Sequence, residues 1–243
     1  MAKITKDYNS PEDGSSRSAG SSRVPTASEV PAEGRRVAGG SESLTKVGAP
    51  EIKELMKIPG KARGQVFFTD FEYIKELKGE KGAALLKKRM EDLGKPIDYE
   101  NIKTTDWYPV GLRVISLLII KEVFDWDDRD IEEMGKTAPK LSFIVKMLMK
   151  TFLSTERSFM EAANYWKKHY SIGKLAPFEI DMKRKHTFLH LKDFKIHPIL
   201  CPYLTGYFYT IANFILKSEK VTIRETKCAF KEDALHEFSV RWE

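Results

Sequence analysis

The spacing of apolar residues predicts helices through the first two thirds of the chain beyond residue 50. In six stretches apolar side chains recur every three or four positions, which is typical of helices with one buried face. These predicted helices cover residues 70–79, 82–94, 106–124, 125–135, 140–152 and 155–170. Gly79, Gly94 and Gly135 are interpreted as helix ends. A short run at 64–68 (GQVFF) is rich in β-branched and aromatic residues and predicts a brief strand or an entry segment.

After Gly173 the apolar pattern changes to alternation, which predicts strands. Residues 175–182 and 185–192 predict a hairpin, an aromatic-rich helix runs to Leu216, and KVTIRETKCAF and EFSVRW predict two further strands. Segregated helices and antiparallel strands indicate an α+β domain. We expect several N-terminal helices packed on a small antiparallel sheet, with the chain ending hairpin–helix–hairpin.

The first fifty residues differ in composition from the rest of the chain. They contain few large apolar side chains and many Ser, Gly, Ala, Pro and charged residues. Such a segment cannot bury enough apolar surface to offset its conformational entropy. We therefore expect a disordered tail over residues 1–50 and one compact domain over residues 51–243. Since the tail lacks the apolar stretch of a secretion signal, and no apolar run is long enough to span a bilayer, we expect a cytoplasmic protein.

Charge and motifs narrow the range of functions. The formal net charge is +6 and the lysines are scattered, which indicates a solvated surface and not a nucleic-acid interface. The chain contains no phosphate-binding glycine loop, no G-x-S-x-G turn and no H-E-x-x-H. Nothing marks a nucleophile with its base, so we favour a binding function over an enzymatic one and predict no catalytic residue.

Both cysteines lie in the last 45 residues, together with a glutamate and a histidine at short spacing. The pattern is Cys201, then Glu225-x-x-Cys228-x7-His236. Zn²⁺ takes four S, N or O ligands in a tetrahedron, so these residues predict a zinc site. Four protein ligands leave no open coordination position, which makes the predicted zinc structural. The competing interpretation is that the cysteines are small buried apolar residues and that His236 lies on the surface of a strand.

With this element order and ligand pattern, the chain resembles the 4-vinyl-reductase domain over roughly residues 60–243. That family shares a superfamily with haem-NO/oxygen-binding (H-NOX) domains and with TRAPP vesicle-tethering subunits. Its sensor members carry a zinc pattern Cys … Glu-x-x-Cys-x7-Cys. Cys201, Glu225 and Cys228 match that pattern, and His236 replaces its last cysteine.

The resemblance implies a sensory domain that binds a small apolar or aromatic molecule. It also implies a homodimer whose output passes to a separate protein partner. In the sensor relatives the helix corresponding to residues 155–170 borders the ligand pocket, so we expect Trp166 to be a ligand-binding residue. Two alternatives remain: a TRAPP-like scaffold or tether subunit, and an accessory protein in tetrapyrrole vinyl reduction.

Haem is the other cofactor that the superfamily suggests. H-NOX relatives hold haem through a histidine in a helix shortly before an Ala-Pro pair. Here Ala176-Pro177 follows the helix EAANYWKKHY, and alignment on that pair places Asn164 at the ligand position, with His169 more than one turn away. The family's Tyr-Ser-Arg motif for haem propionates is not found. We therefore expect that the chain does not bind haem.

Overall fold

The structure is a computed structural model that describes residues 47–143, 145–146, 155–216, 218 and 220–243. Nearly all of the tail expected over residues 1–50 therefore lies outside the described residues. The same is true of most of the second half of the helix predicted at 140–152.

Helices form the first two thirds of the described chain. In order, the elements are α1 (Ala49–Leu55), β1 (Lys61–Arg63), α2 (Gly64–Asp92), β2 (Trp107–Pro109), α3 (Val110–Phe124), α4 (Asp128–Leu141), α5 (Thr155–Met160) and α6 (Ala162–His169). β1 and β2 pair antiparallel and form a small sheet of their own. No helix of the described residues is both long enough and apolar enough to cross a membrane.

The last third of the chain forms a four-stranded antiparallel sheet with one helix. Its elements are β3 (Lys174–Asp181), β4 (His186–Lys192), α7 (Leu200–Leu216), β5 (Val221–Lys227), a 3₁₀ turn (Ala229–Lys231) and β6 (His236–Trp242). The strand order is β3-β4-β6-β5, so the two hairpins join through β4 and β6. The predicted α+β fold, with helices first and hairpin–helix–hairpin last, is confirmed.

Helix α2 begins earlier than its sequence pattern suggested. Residues 64–68 form its first turns, so the brief strand, one of the two predictions for this run, is wrong. A short apolar run fits a strand and a buried helix equally well, and here Val66 and Phe67 are buried in the helical core. The predicted break at Gly79 is present, because this residue has φ 66° and ψ −172° inside α2. Glycine enters that region of backbone space without steric cost.

A fully buried ion pair holds the helical layer together. Asp70 lies inside α2 and pairs with Arg113 of α3, and both side chains are completely buried. Arg113 Nη2 donates to Asp70 Oδ1 at 3.2 Å, and the Tyr203 hydroxyl of α7 donates to the same oxygen at 2.9 Å. The pair therefore links α2, α3 and α7.

Helices α4 and α7 pack with their backbones in direct contact. A Cβ atom at Gly135 would lie 2.1 Å from the Tyr203 carbonyl oxygen, and one at Gly206 would lie 2.0 Å from the Glu132 carbonyl oxygen. The prediction that Gly135 ends its helix is wrong, because α4 continues to Leu141. Glycine at these two positions allows the close approach of the helices.

Candidate functional site

The four predicted metal ligands lie together at one end of the C-terminal sheet. Cys201 is the second residue of α7, Glu225 belongs to β5, Cys228 follows β5 directly, and His236 begins β6. One ligand atom from each residue lies within 4.8 Å of all the others. Cys201 Sγ is 3.7 Å from Cys228 Sγ and 4.0 Å from His236 Nδ1.

Local backbone contacts position these side chains. The Cys201 amide donates to the Pro198 carbonyl at 2.9 Å, which sets the first turn of α7. The Cys228 amide donates to the Asp233 carboxylate at 2.8 Å, so the connection between β5 and β6 is held from within. Pairing of β5 with β6 then brings Glu225 and His236 onto neighbouring strands.

The distances suit a tetrahedral metal ion. With a Zn–S bond of about 2.3 Å, the edge of a sulfur tetrahedron is about 3.8 Å. The two sulfur atoms of Cys201 and Cys228 are 3.7 Å apart, and neither cysteine is in a disulfide. His236 Nδ1 lies 2.8 Å from Glu225 Oε1 and forms a hydrogen bond with it. A metal ion at this site would bind both atoms and replace that hydrogen bond.

The electrostatics of the cluster favour a cation. Burial raises the pKa of the Cys201 thiol, and the Glu225 carboxylate and the Cys228 thiol raise it further. Ionising two thiols beside a carboxylate in a partly buried site is costly without a positive charge. A bound metal ion supplies that charge and holds coordinating thiols in the deprotonated form.

A cavity of about 70 Å³ lies between α4, α6 and α7, with Leu175 and Leu189 of the sheet along one side. Trp166 lines it, and the indole Nε1 donates to the Ile172 carbonyl at 2.8 Å. The Trp166 ring also stacks on Tyr170 at 4.7 Å between centroids. Because its N–H is already bonded, Trp166 offers a ligand only its apolar ring.

His169 is a residue of the cavity wall that the sequence analysis set aside. Its Nδ1 lies 3.2 Å from the Tyr165 carbonyl oxygen, and its Nε2 lies 3.4 Å from the Tyr207 hydroxyl. Burial lowers the pKa of His169 to about 4, so the imidazole is neutral at pH 7. His169 follows Trp166 by three positions, and this helical spacing is the sequence signal that would have placed both side chains on one face.

Solved structures with the same fold exist, although no protein-family model and no curated protein sequence matches this chain. An H-NOX protein from S. oneidensis in the Fe(II)NO ligation state superposes with a TM-score of 0.57 at 11% identity, over 74% of this chain and 99% of that chain. An oxygen-binding H-NOX domain related to soluble guanylate cyclases has a TM-score of 0.53 at 11% identity, over 74% of this chain and 95% of that chain. A structure from work on haem distortion in the H-NOX family has a TM-score of 0.55 at 10% identity, with the same two coverages of 74% and 95%.

This chain has the H-NOX fold. At such low sequence identity the likeness shows the fold alone. It is compatible with the resemblance that the sequence suggested, and it does not show membership of the 4-vinyl-reductase family.

The expectation that this chain does not bind haem is corrected by the solved neighbours. One of them comes from work on haem distortion in the H-NOX family. The expectation rested on the alignment that placed Asn164 at the ligand position and on the missing Tyr-Ser-Arg motif, but Asn164 is exposed and its amide donates to Glu161 at 2.6 Å. His169 lies in the cavity wall instead, and a neutral imidazole is the ligand that haem iron takes in globins and peroxidases. The donor therefore fits. The cavity does not fit haem, because its volume of about 70 Å³ is well below the roughly 300–1,000 Å³ of pockets for larger ligands. To admit haem, α6 and α7 would have to separate.

Proposed function

We propose that this domain is a small-molecule sensor in which a zinc ion fixes the ligand-binding helix to the C-terminal sheet. One observation carries the proposal: helix α7 takes part in both sites. Its second residue, Cys201, belongs to the metal cluster, and Tyr203, Tyr207 and Ile211 of the same helix line the cavity. A ligand that shifts α7 would therefore shift an element attached to the sheet through the metal.

The zinc ion in this proposal is structural. Cys201, Glu225, Cys228 and His236 supply four ligands, which leaves no position open for water or substrate. The energy of metal binding then becomes folding energy. Its role would be to hold the start of α7 against β5 and β6.

The cavity favours small neutral ligands. Its lining among the described residues is mainly aliphatic and aromatic and includes no Asp, Glu, Lys or Arg. A volume of about 70 Å³ is a little more than twice the ~30 Å³ that one water molecule takes up in the liquid. Two of the solved neighbours are complexes whose names specify NO and oxygen, which supports a ligand of this size class.

The output of the domain belongs to the same proposal. The superfamily resemblance predicts a homodimer and a separate protein partner that receives the signal, and the absence of a secretion signal from the sequence predicts a cytoplasmic location. A TRAPP-like scaffold would instead keep the cavity permanently filled and would be recovered in a stable complex with other proteins.

His169 favours a second candidate function, haem binding. Titration of hemin into the purified protein would test it through the visible absorption spectrum. If His169 ligates the iron, His169→Ala removes the absorption band of the bound form, whereas Asn164→Ala leaves it unchanged. A spectrum that both variants share with the original protein would rule out ligation by His169.

The main proposal is tested by metal content and xenon binding in protein purified without chelator. We expect about one zinc per chain by mass spectrometry, and a bound xenon atom in the cavity of crystals pressurised with the gas. Cys228→Ser should lose the zinc. His186→Gln is the matched control, because that imidazole bonds Ser239 at 3.0 Å and is not part of the cluster. Protein that contains neither zinc nor xenon would contradict the proposal.

A further inference from the structure

Two polar side chains of the cavity wall have unused hydrogen-bonding capacity. Gln65 Nε2 and the Tyr170 hydroxyl are buried and have no hydrogen-bond partner among the described residues. Gln65 is only 2% exposed and Tyr170 only 4% exposed, and both line the cavity. A buried polar group without a partner costs free energy, so each such group in a folded protein needs an explanation.

The two side chains belong to neighbouring segments of the cavity wall. The backbone of Tyr170 pairs with Ala62, which precedes Gln65 by three residues. Tyr203 and Tyr207 of α7 line the same cavity. We call Gln65, Tyr170, Tyr203 and Tyr207 the polar end of the cavity.

The other members of the polar end already have partners. The Tyr203 hydroxyl donates to Asp70 at 2.9 Å, and the Tyr207 hydroxyl lies 3.4 Å from His169 Nε2. The free capacity therefore falls on Gln65 Nε2 and the Tyr170 hydroxyl. Both can donate a hydrogen bond, so they are suited to an acceptor.

The charge of the wall limits what that acceptor can be. No Asp, Glu, Lys or Arg lines the cavity among the residues that the structure describes. His169 is neutral because burial lowers its pKa to about 4. An ion placed here would lose its hydration without gaining an opposite charge, which is very costly. The group that meets the polar end must therefore be neutral.

We propose that the cavity binds a neutral molecule with an apolar body and a single oxygen acceptor, a carbonyl or hydroxyl oxygen, to which Gln65 Nε2 and the Tyr170 hydroxyl both donate. The apolar body faces Phe159, Leu204, Phe208 and Ile211. This inference rests on the proposed use of the cavity as a ligand site. It excludes carboxylates and amines, and it disfavours pure hydrocarbons.

The inference is tested with two probes of the same shape. Methanol and ethane have two heavy atoms each, like NO and oxygen, and differ in that one carries a hydroxyl oxygen where the other carries a CH₃ group. We expect the full-length protein to bind methanol about tenfold more tightly, as measured by ligand-observed NMR, since one or two good hydrogen bonds are worth that factor. Tyr170→Phe and Gln65→Met should each reduce this preference to threefold or less. Tyr73→Phe, which removes a hydroxyl outside the cavity lining, should leave the preference unchanged.

The variants have a readout that does not depend on a ligand. Tyr170→Phe removes a hydroxyl without breaking a hydrogen bond, so its Tm should equal or exceed that of the original protein. A fall in Tm would show that the hydroxyl has a partner in the folded state and would overturn the inference.

The remaining outcomes separate this inference from the proposed function. Equal affinity for the two probes would overturn the role of Gln65 and Tyr170 and leave the cavity as an apolar ligand site. A crystal structure in which one water molecule bonds both side chains and methanol fails to displace it would also overturn the inference. If neither probe nor xenon binds, the proposed ligand site itself is wrong.

Discussion

Cys201 Sγ and Cys228 Sγ lie 3.7 Å apart although 27 positions separate them in the sequence. One belongs to the first turn of α7 and the other to the connection that follows β5. A tetrahedral zinc–thiolate pair requires a separation of about 3.8 Å, whereas a disulfide requires about 2.0 Å. The fold therefore places two thiols from different elements at the spacing that a metal ion needs.

Removal of the metal should destabilise the domain. If free zinc exceeds its Kd a thousandfold, binding contributes about 4 kcal/mol, which corresponds to roughly 8–16 °C in Tm for a domain of this size. We expect dialysis against a chelator to lower the Tm by that amount, as followed by circular dichroism. Re-addition of Zn²⁺ should restore it and Mg²⁺ should not, because thiolate ligands do not suit the harder ion. An unchanged Tm after dialysis would argue against a structural metal.

The buried ion pair of Asp70 and Arg113 should be sensitive to loss of one partner. Asp70→Asn leaves the Arg113 guanidinium in the core without a counter-charge, and we expect a loss of about 3–5 kcal/mol in the free energy of unfolding. The double variant Asp70→Asn/Arg113→Met removes both charges and should be less destabilised than Asp70→Asn alone. Urea unfolding of the two variants measures this difference. A double variant that loses more than the single one would mean that the charges are not coupled.

The contact between α4 and α7 should not tolerate a side chain at Gly206. A methyl group there would lie 2.0 Å from the Glu132 carbonyl oxygen, so Gly206→Ala must push the two helices apart. We expect a loss of about 3 kcal/mol in urea unfolding, together with weaker xenon binding, because both helices line the cavity. Gly94→Ala is the control: Gly94 has φ +64° and a Cβ added there would have no atom within 4 Å, so only backbone strain of about 1 kcal/mol is added. Equal effects of the two substitutions would show that the helix contact is adaptable.

Protonation of His169 should destabilise the fold in mild acid. Burial lowers its pKa to about 4 in the folded state, against an ordinary value near 6.5 in the unfolded chain. Between these values the unfolded state binds more protons, so stability is fully present above about pH 6.5 and falls as the pH drops toward 4. The full effect is roughly 3 kcal/mol. The free energy of unfolding of His169→Gln, measured from pH 7 to pH 4.5, should decline less steeply than that of the original protein, and parallel curves would contradict this account.

Much of the fold follows from the periodicity of the sequence. The alternation after Gly173 predicted both hairpins, because strands with one buried face impose a period of two. The four candidate metal ligands were identified from residue type and spacing, and the fold brings them together. Trp166 was chosen because the corresponding helix borders the ligand pocket in the sensor relatives, and it lines the cavity here, while its contact with a ligand stays a prediction.

The failures share a physical cause, which is that the deciding partner is distant in sequence. Gly135 was interpreted as a helix end, but it is a glycine because α7 packs against it. That helix lies some seventy residues later in the chain, so nothing in the local sequence shows the contact. Residues 64–68 have an apolar run that fits a strand or a buried helix, and only the surrounding helices decide between them. One short alignment placed Asn164, and not His169, at the haem-ligand position. Which of the two side chains is buried depends on how α6 packs against α7, and a local alignment does not show this.

Hydrogen exchange along α7, with and without zinc, tests the central claim most directly. The claim is that the metal at Cys201 fixes the helix that lines the cavity. We expect removal of zinc to speed amide exchange not only near Cys201 and Cys228 but also across the cavity-lining part of α7, from Tyr203 to Ile215. Faster exchange confined to residues 225–236, with α7 unchanged, would show that the metal cluster and the cavity are independent.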